Sequence, residues 1–177
     1  GRVVAIGPNA TRLSVGDRVG IGYVHGACGH CRDCLTGGEN YCPEFTATGY
    51  SIPGCFAEYV ALRDQWTTKI PKGIDPVEAA PLMCAGAAAY ASLKRTGVQA
   101  GDTIAIFGMG GLGQYCVQIA KLSGMRVIAV DIADDKLATA KELGADECVN
   151  ADKNAGAAIK ALGGAHRCAH FAPVPAP

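Results

Sequence analysis

The chain has 177 residues, 49% hydrophobic and 18% charged, with 16 Lys and Arg against 16 Asp and Glu. Zero net charge argues against nucleic acid or anionic lipid held by bulk electrostatics. No apolar run approaches the about 20 residues of a membrane span, and the opening Gly1-Arg2-Val3-Val4 has no signal-peptide pattern. The predicted partner class is therefore a small molecule, with no nucleic acid and no membrane.

In chain order, the first elements are short strands and turns. Gly7-Pro8-Asn9 is a turn signal, and Val15 to Ile21 reads as a turn into a short strand. Residues 25–55 are rich in Gly and Cys and lack periodicity, so they form a long loop that needs a staple. Phe56–Leu62 and Trp66–Ile70 read as strands, closed by Pro71-Lys72-Gly73. At Asp75 the character changes. Asp75-Pro76-Val77-Glu78 combines an N-cap Asp, Pro at the first helical position and an acidic third residue. An Ala-rich helix over Met83–Lys94 follows, with Gly97 as its stop. Beyond it, buried strands at Thr103–Phe107, Arg126–Val130 and Glu147–Val149 alternate with three helices. The first ends at Leu122, the second is capped by Asp134 or Asp135 and carries Leu137, Ala140 and Leu143 on one face, and the third covers Ala155–Leu162. That alternation predicts α/β architecture with a parallel sheet, after a β-rich part ending near residue 73.

Nine cysteines are present, and four of them, Cys28, Cys31, Cys34 and Cys42, follow C-x2-C-x2-C-x7-C. Clustering of this kind points to a metal in a reducing, cytoplasmic compartment rather than to a disulfide scaffold. Four thiolates fill a zinc tetrahedron and leave no open position, so such a site is structural. An iron–sulfur cluster is the rival. The opening of the motif and Cys42-Pro43 resemble a ferredoxin run, but that run has x3 before its last Cys where this chain has x7.

The strand Thr103–Phe107 leads into Gly108-Met109-Gly110-Gly111-Leu112-Gly113, then a helix, and Asp131 ends the next strand. G-x-G-x-x-G in that context is the fingerprint of a dinucleotide site. Gly108 permits the tight turn, Gly110 lets the backbone approach a pyrophosphate, and Gly113 permits close helix–strand packing. Asp131 would accept from both adenosine ribose hydroxyls and repel a 2′-phosphate. Ile132-Ala133 supplies no Arg to bind one, which favours NAD over NADP.

In combination, these motifs make the chain resemble a zinc-dependent medium-chain alcohol dehydrogenase, of the bacterial and yeast type that acts on small primary alcohols. The residues that carry the resemblance are A-C-G-H-C-R-D-C-L-T-G-G-E-N-Y-C, then Ala79-Ala80-Pro81-Leu82-Met83-Cys84-Ala85-Gly86 before Tyr90, then G-M-G-G-L-G with V-I-A-V-D-I-A-D-D-K-L. It covers residues 1 to about 164. The resemblance implies a partial GroES-like β-barrel domain over 1–73 with a structural zinc lobe at about 25–45. Over 74–164 it implies a linker helix and the first half of a doubly wound, Rossmann NAD-binding domain. Residues 165–177 remain as an atypical tail.

By the same resemblance, Cys28, Cys31, Cys34 and Cys42 match structural zinc ligands and Cys84 matches a catalytic zinc ligand. Gly108, Gly110, Gly111, Leu112, Gly113 and Asp131 match the cofactor-binding turn, and Lys136 matches a lysine that reaches the ribose. The implied reaction is oxidation of an alcohol to an aldehyde or ketone. Zinc acts as Lewis acid, hydride passes to NAD, and the intact enzyme is a homo-oligomer. Relatives acting on polyols, formaldehyde or cinnamyl alcohol stay open, as does a zinc-stabilised dinucleotide-binding module without catalysis.

There are departures from the family pattern. The other catalytic zinc ligands belong upstream of the segment resembling residues 1–4, which makes the chain an expected internal fragment, inactive alone. His25 and His30 do not match those ligands and read as loop histidines. Cys55 stands where the family usually has a second Gly, and Ala88 where relatives often carry Thr. The tail His166–Pro177 is Pro-rich, a poor strand, and reads as sequence foreign to the family, of the kind a frameshift or truncated reading leaves.

Overall fold

In the computed structural model, which describes residues 1–152 and 154–173, the chain divides into two compact units, Gly1–Cys84 and Ala85–Pro177. The sequence places the change at residue 73. The helix begun by Asp75 and the turn after it belong to the first unit.

The first unit is built from short antiparallel pairs. Strand β1 (Val19–Ile21) pairs with β4 (Thr67–Lys69), and β2 (Val24–Gly26) pairs with β3 (Thr46–Ala47). Helix α1 (Arg32–Leu35) lies between β2 and β3 in the chain. Side chains lock the turns. Asp64 accepts from the Thr11 and Arg12 N–H groups at 2.9 and 3.1 Å, which holds its carboxyl below the usual range. Asp17 pairs with Lys69 at 2.7 Å. Helix α2 (Pro76–Ala79) starts as its sequence dictates, with Asp75 accepting the Val77 N–H at 2.8 Å.

Residues 56–62 are not a strand, contrary to their alternation. A strand needs a neighbour for its N–H and C=O groups. Among the described residues none pairs with this segment, and a cleft of about 420 Å³ lies between residues 57–62 and residues 1–7. Phe56 and Tyr59 are exposed.

The second unit starts with α3 (Ala85–Thr96), which ends where Gly97 adopts φ +70°. It then alternates β5 (Thr103–Phe107), α4 (Gly111–Leu122), β6 (Arg126–Asp131), α5 (Asp134–Glu142), β7 (Glu147–Asn150), α6 (Ala155–Ala161) and β8 (Arg167–His170). All strand pairs are parallel, in the order β7-β6-β5-β8. Successive strand residues point to opposite faces. Ile104, Ile106, Val127 and Ala129 pack with Cys116, Val117, Leu137 and Ala140, while Ala105, Ile128 and Val130 pack with Val149, Ala155 and Ile159. Helices thus cover both faces, which is why β5 and β6 read as unbroken apolar runs.

Two expectations are corrected here. Neither Asp134 nor Asp135 is the cap of α5. Ala133 holds that position, and Asp134 instead accepts from Asn150 Nδ2 at 2.8 Å. Both acids still lie in the first turn, where the helix dipole favours them. The sheet also has a fourth strand, in the segment read as a poor strand. Arg167–His170 pairs with Ile104–Phe107, Ala169 is buried, and Phe171 N–H donates to Phe107 C=O at 2.8 Å. Pro173 lies beyond this ladder, and an edge strand needs donors on one side only. The rest of the Pro-rich tail, residues 174–177, lies outside the described residues.

Asp146 ties helices α4 and α5 to strand β6. Both its oxygens accept from Lys121 Nζ at 2.8 Å, one accepts the N–H of buried Val127 at 2.7 Å, and its carbonyl accepts from Lys141 Nζ at 2.7 Å. Partial burial would raise its pKa, but the Lys121 ammonium, the Val127 N–H and the charge of Arg126 outweigh that and lower it. Asp146→Ala strands the Val127 N–H and should cost about 1–3 kcal/mol. The thermal midpoint should fall by about 2–4 °C per kcal/mol for a chain of this size. A depressed folded pKa gives stability that is full above the unfolded value of about 3.9 and is lost as pH falls through the folded value. The gap between the two proteins should therefore be wide at neutral pH and shrink below pH of about 4 in thermal melts.

Candidate functional site

The cysteine lobe is closed at its base by the β2–β3 pair, which holds residues 26 and 46 side by side. Between them the chain turns at Gly29 and Gly37, both at positive φ, and brings the four sulfurs together. The Sγ atoms of Cys28, Cys31, Cys34 and Cys42 all lie within 4.8 Å of one another, and Cys28 and Cys34 are 3.8 Å apart. Tetrahedral zinc with Zn–S bonds of about 2.3 Å requires sulfur–sulfur edges of about 3.8 Å. The residues fit the ion.

Backbone N–H groups already point at the sulfurs: Cys31 at Cys28, Cys34 at Cys31, Cys28 and Glu44 at Cys42, over 3.3–3.5 Å. Such donors favour thiolates. The N–H groups of His30 and Cys31 pull the Cys28 thiol down to about 6, whereas burial pushes Cys34 up to about 12. A divalent cation amid four sulfurs removes that asymmetry, because coordinated thiols are deprotonated outright. Cys28, His30 and exposed Glu44 also approach one another within 4.8 Å, but that set shares Cys28 and offers a single soft ligand.

Cys84 behaves differently. It follows the short 3-10 turn Ala80–Met83, is exposed, and joins no group of three metal-ligating side chains among the described residues. By itself it does not make a zinc site. His25 is partly buried and also outside any such group.

The glycine-rich turn lies at the carboxyl end of β5. Gly108 has φ +88°, which an L side chain rarely adopts, and its N–H donates to Val130 C=O at 2.8 Å. Gly113 lies in the first turn of α4 against the Gly108 carbonyl group, whose carbon is 3.0 Å from where a Cβ would stand. Above Gly110 and Gly111 there is open space: nothing lies within 4 Å of either Cβ position. Gly110 is the N-cap and contributes no side-chain acceptor, so the first N–H groups of α4 are left for an anion. Leu112 is half-buried behind them.

Asp131 closes β6 beside this turn and is 8% exposed. Its Oδ2 accepts the Met109 N–H at 2.6 Å, and its Oδ1 accepts the Ala133 N–H at 3.0 Å. Burial would raise its pKa, but these two donors and the charge of Lys136 outweigh it and lower the pKa. Lys136 is exposed on the first turn of α5, and Ile132 is exposed next to Asp131. Sequence reasoning did not find two residues that shape the turn. Met109 is fully buried beneath it, and Gln114 Nε2 donates to the Met109 carbonyl at 3.1 Å. Neither carries a motif signal, since both act through the backbone of a variable position.

Residues 1–72 match the alcohol dehydrogenase GroES-like domain, and residues 111–172 match the zinc-binding dehydrogenase domain, the latter running through β8. An alcohol dehydrogenase of Geobacillus stearothermophilus is 48% identical over 150 residues, covering 85% of this chain and 44% of that protein. One from Moraxella sp. (strain TAE123) is 46% identical over 168 residues, 94% of this chain and 50% of that protein. Among solved structures, an NAD-dependent alcohol dehydrogenase superposes with a TM-score of 0.80 at 36% identity, over 93% of this chain and 49% of that one. The chain spans about half the length of the curated relatives it matches.

Proposed function

We propose, for a chain that belongs to the zinc-binding, GroES-like alcohol dehydrogenase family, that it forms part of an NAD-dependent enzyme oxidising a small alcohol to an aldehyde or ketone. The observation that carries the reading is the turn at Gly108–Gly113 with the ionised, buried Asp131 beside it. Its backbone donors suit a pyrophosphate, and the carboxylate suits two ribose hydroxyls. When bound, NAD supplies the hydride acceptor.

The chain's own residues do the holding. Gly110 and Gly111 leave room for the phosphates, α4 presents its free N–H groups, and Lys136 stands at the ribose edge. Cys28, Cys31, Cys34 and Cys42 hold a structural zinc that keeps residues 27–45 in one shape. Cys84 is one ligand of the catalytic zinc of the whole enzyme. The intact protein is a cytoplasmic homo-oligomer on this reading. The support for that compartment is the thiol cluster, which needs reducing conditions, and no helix among the described residues is long and apolar enough to cross a membrane.

The test has two arms. Titration of the chain with NADH and NADPH should show NADH binding on the order of 10-fold or more tighter, the scale of charge repulsion and lost hydrogen bonds at one ribose site. Asp131→Ser combined with Ile132→Arg should narrow or reverse that ratio. Equal affinity of the unsubstituted chain for both nucleotides would remove the basis of the assignment. In the second arm, the full-length protein that carries these residues should reduce NAD when given small primary alcohols, and a lack of turnover with any alcohol would refute the substrate class.

A further inference from the structure

The turn is stitched to β6 at two adjacent points. Gly108 N–H donates to the Val130 carbonyl at 2.8 Å, and Met109 N–H donates to Asp131 Oδ2 at 2.6 Å. The second bond runs between a backbone donor and an ionised side chain in a buried place, where such bonds are strongest. Met109 is held at its other end as well, by Gln114 Nε2 on its carbonyl. The peptide groups on both sides of Met109 are thus fixed before any ligand arrives, and they set the direction in which Gly110 and Gly111 enter α4.

A carboxylate offers about four lone-pair sites. Met109 and Ala133 take two of them, one on each oxygen, which leaves one on each oxygen for a further donor. We infer that Asp131 is a positioning residue of the phosphate-binding turn as well as an acceptor for ribose, so that its carboxylate holds the Met109 amide and thereby the N–H groups that meet the phosphates. This rests on the dinucleotide reading above but makes a separate claim. A residue that serves only ribose selectivity can be exchanged without touching phosphate binding, and Asp131 cannot. Asparagine illustrates the reason. It keeps one acceptor and turns an NH2 donor toward either Met109 N–H or Ala133 N–H, so one of these is left facing a donor.

The experiment uses the full chain, Asp131→Asn and Gln114→Ala, with inorganic pyrophosphate and adenosine as separate probes. In the unliganded chain, Asp131→Asn should speed amide exchange at Met109 on the order of 10- to 100-fold, the span for a hydrogen bond to a charged acceptor. Pyrophosphate affinity should fall together with adenosine affinity. Gln114→Ala, which frees the other end of Met109 and leaves the carboxylate in place, should weaken pyrophosphate while the NADH to NADPH ratio stays the same. If Asp131→Asn lowers adenosine affinity alone, with pyrophosphate binding and Met109 exchange unchanged, Asp131 is a ribose contact only and the inference is overturned.

Should Asp131→Asn fail to fold, the unsubstituted chain decides. The Met109 amide proton should shift as the Asp131 carboxyl titrates at acid pH, and the Gly108 amide proton, bonded to a carbonyl, should not. A Met109 proton indifferent to that titration also overturns the inference. Failure of both probes to bind the unsubstituted chain would refute the dinucleotide reading, and the exchange rates would still decide the positioning role.

Discussion

Removal of zinc, or of one of its ligands, should unfold residues 27–45 and cost the first unit most of its stability. The lobe has little else to hold it. Within it the regular elements are the four-residue helix α1 and a three-residue 3-10 turn at Glu39–Tyr41, neither with a buried residue. Apparent binding energies of structural zinc are about 10–16 kcal/mol near neutral pH, and they are folding energy when no site exists in the unfolded chain. Cys34→Ala removes a ligand whose sulfur sits 3.8 Å from that of Cys28.

Metal analysis should find about one zinc per chain for the parent and far less for the variant. The thermal midpoint of the first unit should drop by well over about 10 °C, at about 4–8 °C per kcal/mol for a unit of fewer than about 100 residues. Amide protection in 27–45 should vanish while the β5–β8 sheet stays protected. Cys84→Ala is the contrast: it should leave the zinc content at about one, because Cys84 joins no group of ligands among the described residues. Iron with acid-labile sulfide, or a metal-free lobe as well protected as the parent's, would refute the assignment.

The second large effect is expected at Gly113. A methyl group there meets the Gly108 carbonyl, which is backbone and is itself pinned by the bond from Gly108 N–H to Val130. Neither partner can yield without moving α4 away from β5. Gly113→Ala should therefore destabilise the second unit by about 1–3 kcal/mol, the cost of overpacking. NADH affinity should fall more steeply still, because a shifted α4 misdirects every N–H group aimed at the phosphates.

Gly111→Ala separates the two contributions. Its Cβ meets nothing within 4 Å, so stability should hold, while the methyl group occupies the space the phosphates need. NADH titration and thermal melts of both variants are the measurement. Full NADH affinity in Gly113→Ala would show that the turn does not bind the cofactor in the observed arrangement.

What could be read from the chain and what could not divide along a physical line. Strands β5 and β6 and helices α2, α4 and α6 follow from local patterns: apolar runs long enough for a strand, helical spacing behind a glycine turn, Asp-Pro at a helix start. The cysteine spacing and the glycine fingerprint were legible for the same reason, since each is made of residues close together in the chain. The segment Phe56–Leu62 misled because alternation states a capacity to pair, and pairing depends on a neighbour far away in sequence. Strand β8 misled in the other direction. Proline was weighed over the whole tail, yet the ladder covers only Arg167–His170 and draws its stability from β5, some sixty residues earlier.

The sequence by itself determined the alternation of strands and helices from β5 to α6 and the residue types gathered in the cysteine lobe and the glycine-rich turn. All of these rest on short-range geometry and on residue types with few alternative uses. The tertiary structure alone decided that Asp131 holds Met109, that Asp146 joins Lys121 to Val127, and that Asp134 is taken up by Asn150 instead of capping its helix. Each of these bonds uses a carboxylate whose partner comes from another element. A carboxylate in a sequence accepts from any donor brought within about 3 Å, and only the packing of strands and helices selects which donor that is.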